Sequence, residues 1–144
     1  MSNANWRGIV GVVKPTYKSG SLVDFIRLLP DGVGVVPLFI GAQEHTEDEY
    51  LRAMDIYHQR IGELARIGVD LLHPEGGPPF MVRGYAAEKD LVKSWEDSYG
   101  VPVVATGMSH AEAFAHIRRA RPIIALNAIQ QARLAEWARL HIRK

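Results

Sequence analysis

The sequence predicts an α/β fold built on a mostly parallel sheet. Three observations carry that expectation. Short, near-continuous apolar runs recur along the chain, helical periodicity fills the intervals between them, and glycine or proline punctuates the joins. Strand, helix, strand in repetition is the pattern of a parallel sheet covered by helices on both faces. Its crossovers are expected to be right-handed.

The first run is Arg7–Val13, RGIVGVV, rich in β-branched residues and followed by a helix over Leu22–Leu29. Val33–Ile40, VGVVPLFI, is the second strand. Its interior Pro37 withholds a ladder donor and points to an edge position or a break. Thr46–Ile67 is the clearest helix, since Tyr50, Met54, Tyr57, Ile61 and Leu64 recur at steps of three and four and share one face. Thr46 and Glu49 form a Thr-x-x-Glu capping box, Glu47 and Asp48 suit the positive end of the helix dipole, and Gly68 is a natural stop. Val69–His73 is the third strand, and a helix over about Tyr85–Tyr99 ends at Gly100. Val101–Ala105 and Pro122–Leu126 read as further strands. A helix starting at Ser109, capped by the Ser109/Glu112 pair, and another over Gln130–Ile142 complete the series.

Composition sets the outer bounds. The chain has 144 residues, 47% hydrophobic and 23% charged, with a net charge of +1, and is expected to form a single α/β domain over 1–144. It has no cysteine, which excludes disulfides, thiolate metal sites and a cysteine nucleophile. No apolar run approaches the ~20 residues of a membrane span, and the opening MSNANWRG lacks the apolar core of a secretion signal. A cytoplasmic protein without a membrane partner is the expectation. Residues 117–144 hold seven bases against one acid, and the rest holds ten bases against fifteen acids. The tail bases alternate with Ile123, Ile124, Leu126, Leu134, Trp137 and Leu140, as on the solvated faces of packed elements, so no nucleic-acid partner is expected. There is no GxxxxGK[ST], Gly32-Val33-Gly34 lacks the third glycine of a dinucleotide fingerprint, and no HExxH or His/Asp cluster has metal spacing.

Ligands of open parallel sheets bind beyond the carboxyl ends of the strands. Those ends are Lys14-Pro15-Thr16, Pro74–Pro79, Thr106–His110 and Asn127 onward. In His73-Pro74-Glu75-Gly76-Gly77-Pro78-Pro79 the two glycines permit close backbone approach and the two prolines stiffen the turn behind them. The run reads either as a binding loop whose Gly76 and Gly77 amides donate to an anion or as a rigid turn. Thr106-Gly107-Met108-Ser109-His110 opens a capped helix, where backbone amides favour a carboxylate or phosphate. Lys14 could neutralise an anion or stand solvated. The candidate binding set is therefore Lys14, Pro15, Thr16, Gly76, Gly77, Pro78, Thr106, Ser109 and Asn127. No catalytic residue is assigned. His110 and Glu75 are the only groups near the strand ends suited to proton transfer.

Four segments in order (WRGIVGVVKPT, VVPLFIGAQEHTEDEYL, DLLHPEGGPPFMVRGY and W-x3-YGVPVVATGMSHAEAF) make the chain resemble the aspartate/glutamate racemase superfamily over about residues 6–115. The nearest branch is that of maleate cis–trans isomerases and arylmalonate decarboxylases. The resemblance implies a flavodoxin-like three-layer domain, one lobe of a two-lobed fold, and chemistry on small carboxylates without cofactor or metal. It implies that the loops at Lys14, Pro15, Thr16 and at Gly76, Gly77, Pro78 hold a carboxylate or enolate, an oxyanion-hole device. The family's isomerases and racemases use cysteines that this chain lacks. Residues 116–144 diverge from the family, and Asn127 or Ala128 stands where a tyrosine-bearing turn is expected. A second lobe could come from another copy of the chain, as a homodimer. The functional expectation is a decarboxylase- or isomerase-like lobe, or alternatively a non-catalytic carboxylate-binding or dimerisation domain that has lost the chemistry.

Overall fold

The chain divides into two compact units, Met1–Gly107 and Met108–Lys144. The computed structural model describes residues 5–105 and, beyond them, only Ala115, Ala132, Glu136 and Arg139, so the architecture is that of the first unit. The strand expected at Pro122–Leu126 and the helices expected from Ser109 and over Gln130–Ile142 lie outside the described residues.

Three parallel strands form the sheet: β1 (Gly8–Lys14), β2 (Val33–Phe39) and β3 (Leu71–Pro74), in the order β2-β1-β3. Helix α1 (Gly20–Leu28) connects β1 to β2 and α2 (Glu47–Arg66) connects β2 to β3. A short α3 (Gly77–Met81) and α4 (Tyr85–Tyr99) come next. The fold is thus α/β with an all-parallel sheet, consistent with a flavodoxin-like three-layer domain. Pro37 sits in β2, which has no second partner strand among the described residues, the edge position a proline requires. Residues 101–105 run parallel beside β3 for a single bridge, Leu72 to Val103. There Leu72 N–H donates to Pro102 O and Val104 N–H to Leu72 O, both at 2.9 Å.

Side-chain alternation assigns the layers. A Cβ on Gly11 would lie 3.1 Å from the Leu64 side chain, so the Gly11 face of β1 meets α2 at a distance that only glycine permits. Leu72, paired with Gly11, shares that face. Val12, Lys14 and the neighbouring His73 therefore face the other layer, where Phe25 of α1 stacks on the His73 ring with centroids 5.4 Å apart. Most of the core lies on the α2 side, with Val10 and Val12 buried on the opposite face of β1. Tyr50, Ala53, Met54, Tyr57, Ile61 and Leu64, the periodic stripe of α2, are all buried, together with Val13, Leu72, Phe80, Val92 and Trp95. Helix α1 is different. None of its residues is buried, and Val23, Ile26 and Leu28 are exposed.

Capping obeys the expected chemistry with one change. The Thr46 hydroxyl accepts from Glu49 N–H at 3.2 Å. The Glu49 carboxylate, however, turns back past the cap and accepts from the N–H groups of Gln43, Glu44 and His45 at 2.8, 3.0 and 2.7 Å. Helix α4 stops at Gly100 in the left-handed conformation. The run after β3 is a correction to the expectation of a stiff loop or rigid turn. Gly77–Met81 closes into a helical turn, because prolines in a first turn lose no intrahelical donor.

Candidate functional site

The carboxyl ends of β1 and β3 meet as the topology requires. Lys14 closes β1 on the face turned toward α1, and Glu75 lies just past β3 on the same face. Lys14 is neither solvated nor presented to solvent as a free cation: its residue is 1% exposed. Its ammonium donates to Glu75 Oε2 at 2.6 Å and to Ser21 Oγ at 2.5 Å. The Ser21 hydroxyl in turn donates to Glu75 Oε1 at 2.9 Å. Three side chains from β1, α1 and the β3 end thus form a closed ring, with one carboxylate oxygen taken by the ammonium and the other by the hydroxyl. A buried cation with a hydrogen-bonded carboxylate is the arrangement that makes its desolvation tolerable.

The backbone beneath the ring is fixed. Glu75 N–H donates to Val13 O at 2.8 Å, and the hydroxyl of buried Tyr57 donates to Glu75 O at 2.7 Å. Burial, with a smaller contribution from the Glu75 charge, pushes the Tyr57 phenol far above its ordinary pKa, so it acts here as a donor. Gly76 has φ +114°, and a Cβ there would stand 3.0 Å from Pro15 Cγ and 3.4 Å from Tyr57 Oη. Pro15 O accepts from Ala42 N–H and Lys14 O from Ile40 N–H, each at 2.8 Å, which ties the β1 end to the β2 end.

The structure therefore brings together four residues singled out in the sequence: Lys14, Pro15, Glu75 and Gly76. Thr16 is adjacent, but its hydroxyl accepts from its own loop, from Lys18 N–H at 3.4 Å. Gly77 and Pro78 stand in the first turn of α3. The Gly76 and Gly77 amides have no hydrogen-bond partner among the described residues. Thr106, Ser109, His110 and Asn127 lie outside the described residues. Sequence reasoning missed Ser21 and Tyr57. Tyr57 was legible only as one member of an apolar stripe, and Ser21 carries no local signal for its partner 54 residues away.

His73 was also missed as a site residue. Its Nδ1 lies 2.7 Å from Val104 O, and a carbonyl only accepts, so Nδ1 carries the proton. Burial lowers its pKa, and the Lys14 charge adds to that, against the raising effects of the Val104 bond and the Glu75 charge. A folded-state pKa below the unfolded value means stability that is whole above the unfolded pKa of about 6.5 and is lost as pH falls below it. The loss is expected to reach at most about 1.4 kcal/mol per pH unit. Urea unfolding at pH 7.5 and pH 5 checks it. The pH sensitivity should be smaller in His73→Gln, and an unchanged sensitivity would assign it to other groups.

A separate shallow depression of about 260 Å³ lies at the β2 end, lined by Ile40, Gly41, Ala42, Glu44, Arg52 and Ile56 among others. Backbone donation, led by Gln43 N–H, holds the neighbouring Glu49 carboxyl below its ordinary pKa. Two acids against one arginine make this hollow a poor seat for an anion. No group of three or more potential metal ligands occurs among the described residues. No helix among them is long and apolar enough to cross a membrane. The chain matches no protein-family model and no curated protein.

Proposed function

We propose that this chain is a small-carboxylate lobe of the cofactor-independent decarboxylase or cis–trans isomerase type, with its ligand seated where β1 and β3 end. The observation that carries the reading is Lys14, an almost fully enclosed ammonium at a strand end that already coordinates a carboxylate at 2.6 Å. The Gly76 and Gly77 amides follow Glu75 directly in the chain, and donors fixed in advance near a carboxylate stabilise the charge that builds up when an enolate forms. In this reading Lys14, Pro15, Thr16, Gly76, Gly77 and Pro78 form the seat. A cytoplasmic setting without membrane or nucleic-acid partner goes with it.

A second reading, a non-catalytic carboxylate-binding or dimerisation domain, is favoured by one observation. Glu75, the acid at this rim, is committed to Lys14 and Ser21 rather than free to move a proton. One experiment separates the two. The full chain and Lys14→Met are incubated with phenylmalonate or maleate in D2O and followed by proton NMR, beside melting curves with malonate. Turnover that Lys14→Met loses supports the enzyme. A malonate-raised melting temperature without turnover supports the binder. No turnover and no shift in melting overturns the enzyme and the carboxylate binder alike.

A further inference from the structure

We infer that Glu75 is a tethered occupant of the carboxylate seat, holding the Lys14 ammonium and the Ser21 hydroxyl in place of a ligand, so that a small carboxylate binds by displacing it. The inference rests on the carboxylate-lobe proposal and adds its gating.

Three observations lead to it. The first is the pattern of contacts. Lys14 addresses one Glu75 oxygen and Ser21 the other, at 2.6 and 2.9 Å, which is two-point recognition of a whole carboxylate group. The second is the lopsided burial of the pair. The Lys14 side chain is 2% exposed and that of Glu75 is 26% exposed. The anion has a path to water and the cation has none, so Glu75 is the partner that can leave. The third is that the backbone need not move with it. The Glu75 N–H and C=O are held by Val13 and Tyr57, and Gly76 is wedged against Pro15 and Tyr57. Only side-chain rotation is required, and the departing carboxylate regains its hydration. The incoming carboxylate replaces one negative charge with another, so the buried ammonium is paired both before and after the exchange.

An internal occupant reduces a ligand's affinity by the fraction of time the seat is vacant. If Glu75 fills it about nine-tenths of the time, its removal lowers the apparent dissociation constant roughly tenfold. The test is calorimetric titration of the full chain with sodium malonate at constant ionic strength, for wild type, Glu75→Gln and Lys14→Met. The expected result is binding to Glu75→Gln roughly tenfold tighter than to wild type, and none to Lys14→Met. Should Glu75→Gln not fold, Glu75→Asp is used. It keeps the charge but is one methylene too short for the ring, and it tightens binding in the same direction. Binding to wild type that Glu75→Gln or Glu75→Asp leaves unchanged or weakens overturns the gating and leaves the carboxylate reading standing. Absence of malonate binding to every variant overturns the carboxylate reading and the gating with it.

Discussion

Replacing Glu75 with alanine will lower the unfolding free energy by about 3 kcal/mol, whereas Lys14→Met will cost clearly less. The asymmetry comes from which charge is left behind. Without Glu75, the ammonium of Lys14 keeps only the Ser21 hydroxyl among its present partners, in a site that is 2% exposed. Breaking a buried pair in that sense typically costs about 3–5 kcal/mol, and water entering the vacated space keeps the loss near the lower end. Without the Lys14 charge, the carboxylate that remains is 26% exposed and hydrates where it stands, and the methionine stem still fills the space. Urea denaturation of the two variants beside wild type measures both. Equal losses would show that the ring is held by a charge balance other than this difference in burial.

Gly76→Val will destabilise by about 3 kcal/mol, through two effects that add. At φ +114° the backbone lies where side chains are rarely accommodated, least of all a β-branched one. The new Cβ would also lie 3.0 Å from Pro15 Cγ, and neither Pro15 nor Tyr57 can retreat easily. Pro15 O is bonded to Ala42 N–H, and the Tyr57 hydroxyl is bonded to Glu75 O. Gly84 provides the control. It also has positive φ, +83°, but nothing among the described residues lies within 4 Å of its would-be Cβ, so Gly84→Val bears the backbone strain alone. Thermal melts of the two variants separate the effects. If Gly76→Val costs no more than Gly84→Val, the contact with Pro15 carries no energy.

Most of the described fold was legible because its signals are local. The stripe Tyr50–Leu64 at helical spacing set α2 within a residue of its observed bounds, and Thr46 capped it as expected. Pro37, read as marking an edge or a break, lies in a strand with no second partner among the described residues. Errors occurred where tertiary contacts override local pattern. The run after His73 reads as a stiff loop or rigid turn because of its glycines and prolines, yet the prolines suit the first turn of α3. Helix α1 begins at Gly20 rather than at Leu22, with Val23 N–H donating to Ser19 O across its first turn. The candidate site was half legible. Strand ends named Lys14 and Glu75 separately, but their pairing spans 61 residues and depends on the register of β1 with β3. No spacing in a single sequence encodes that register. The commitment of Glu75 to Lys14, and the part of Ser21 in it, became visible only with the sheet assembled.

The poorly anchored first helix gives this architecture a weak seam. Among the described residues its nine residues are fastened through Phe25 on His73 and Ser21 on the ring, with no side chain sealed from water. Segments so lightly packed detach at a small fraction of the global unfolding energy. Brief undocking of this one helix would wet the enclosed ammonium while the three-stranded layer and everything behind it stayed intact.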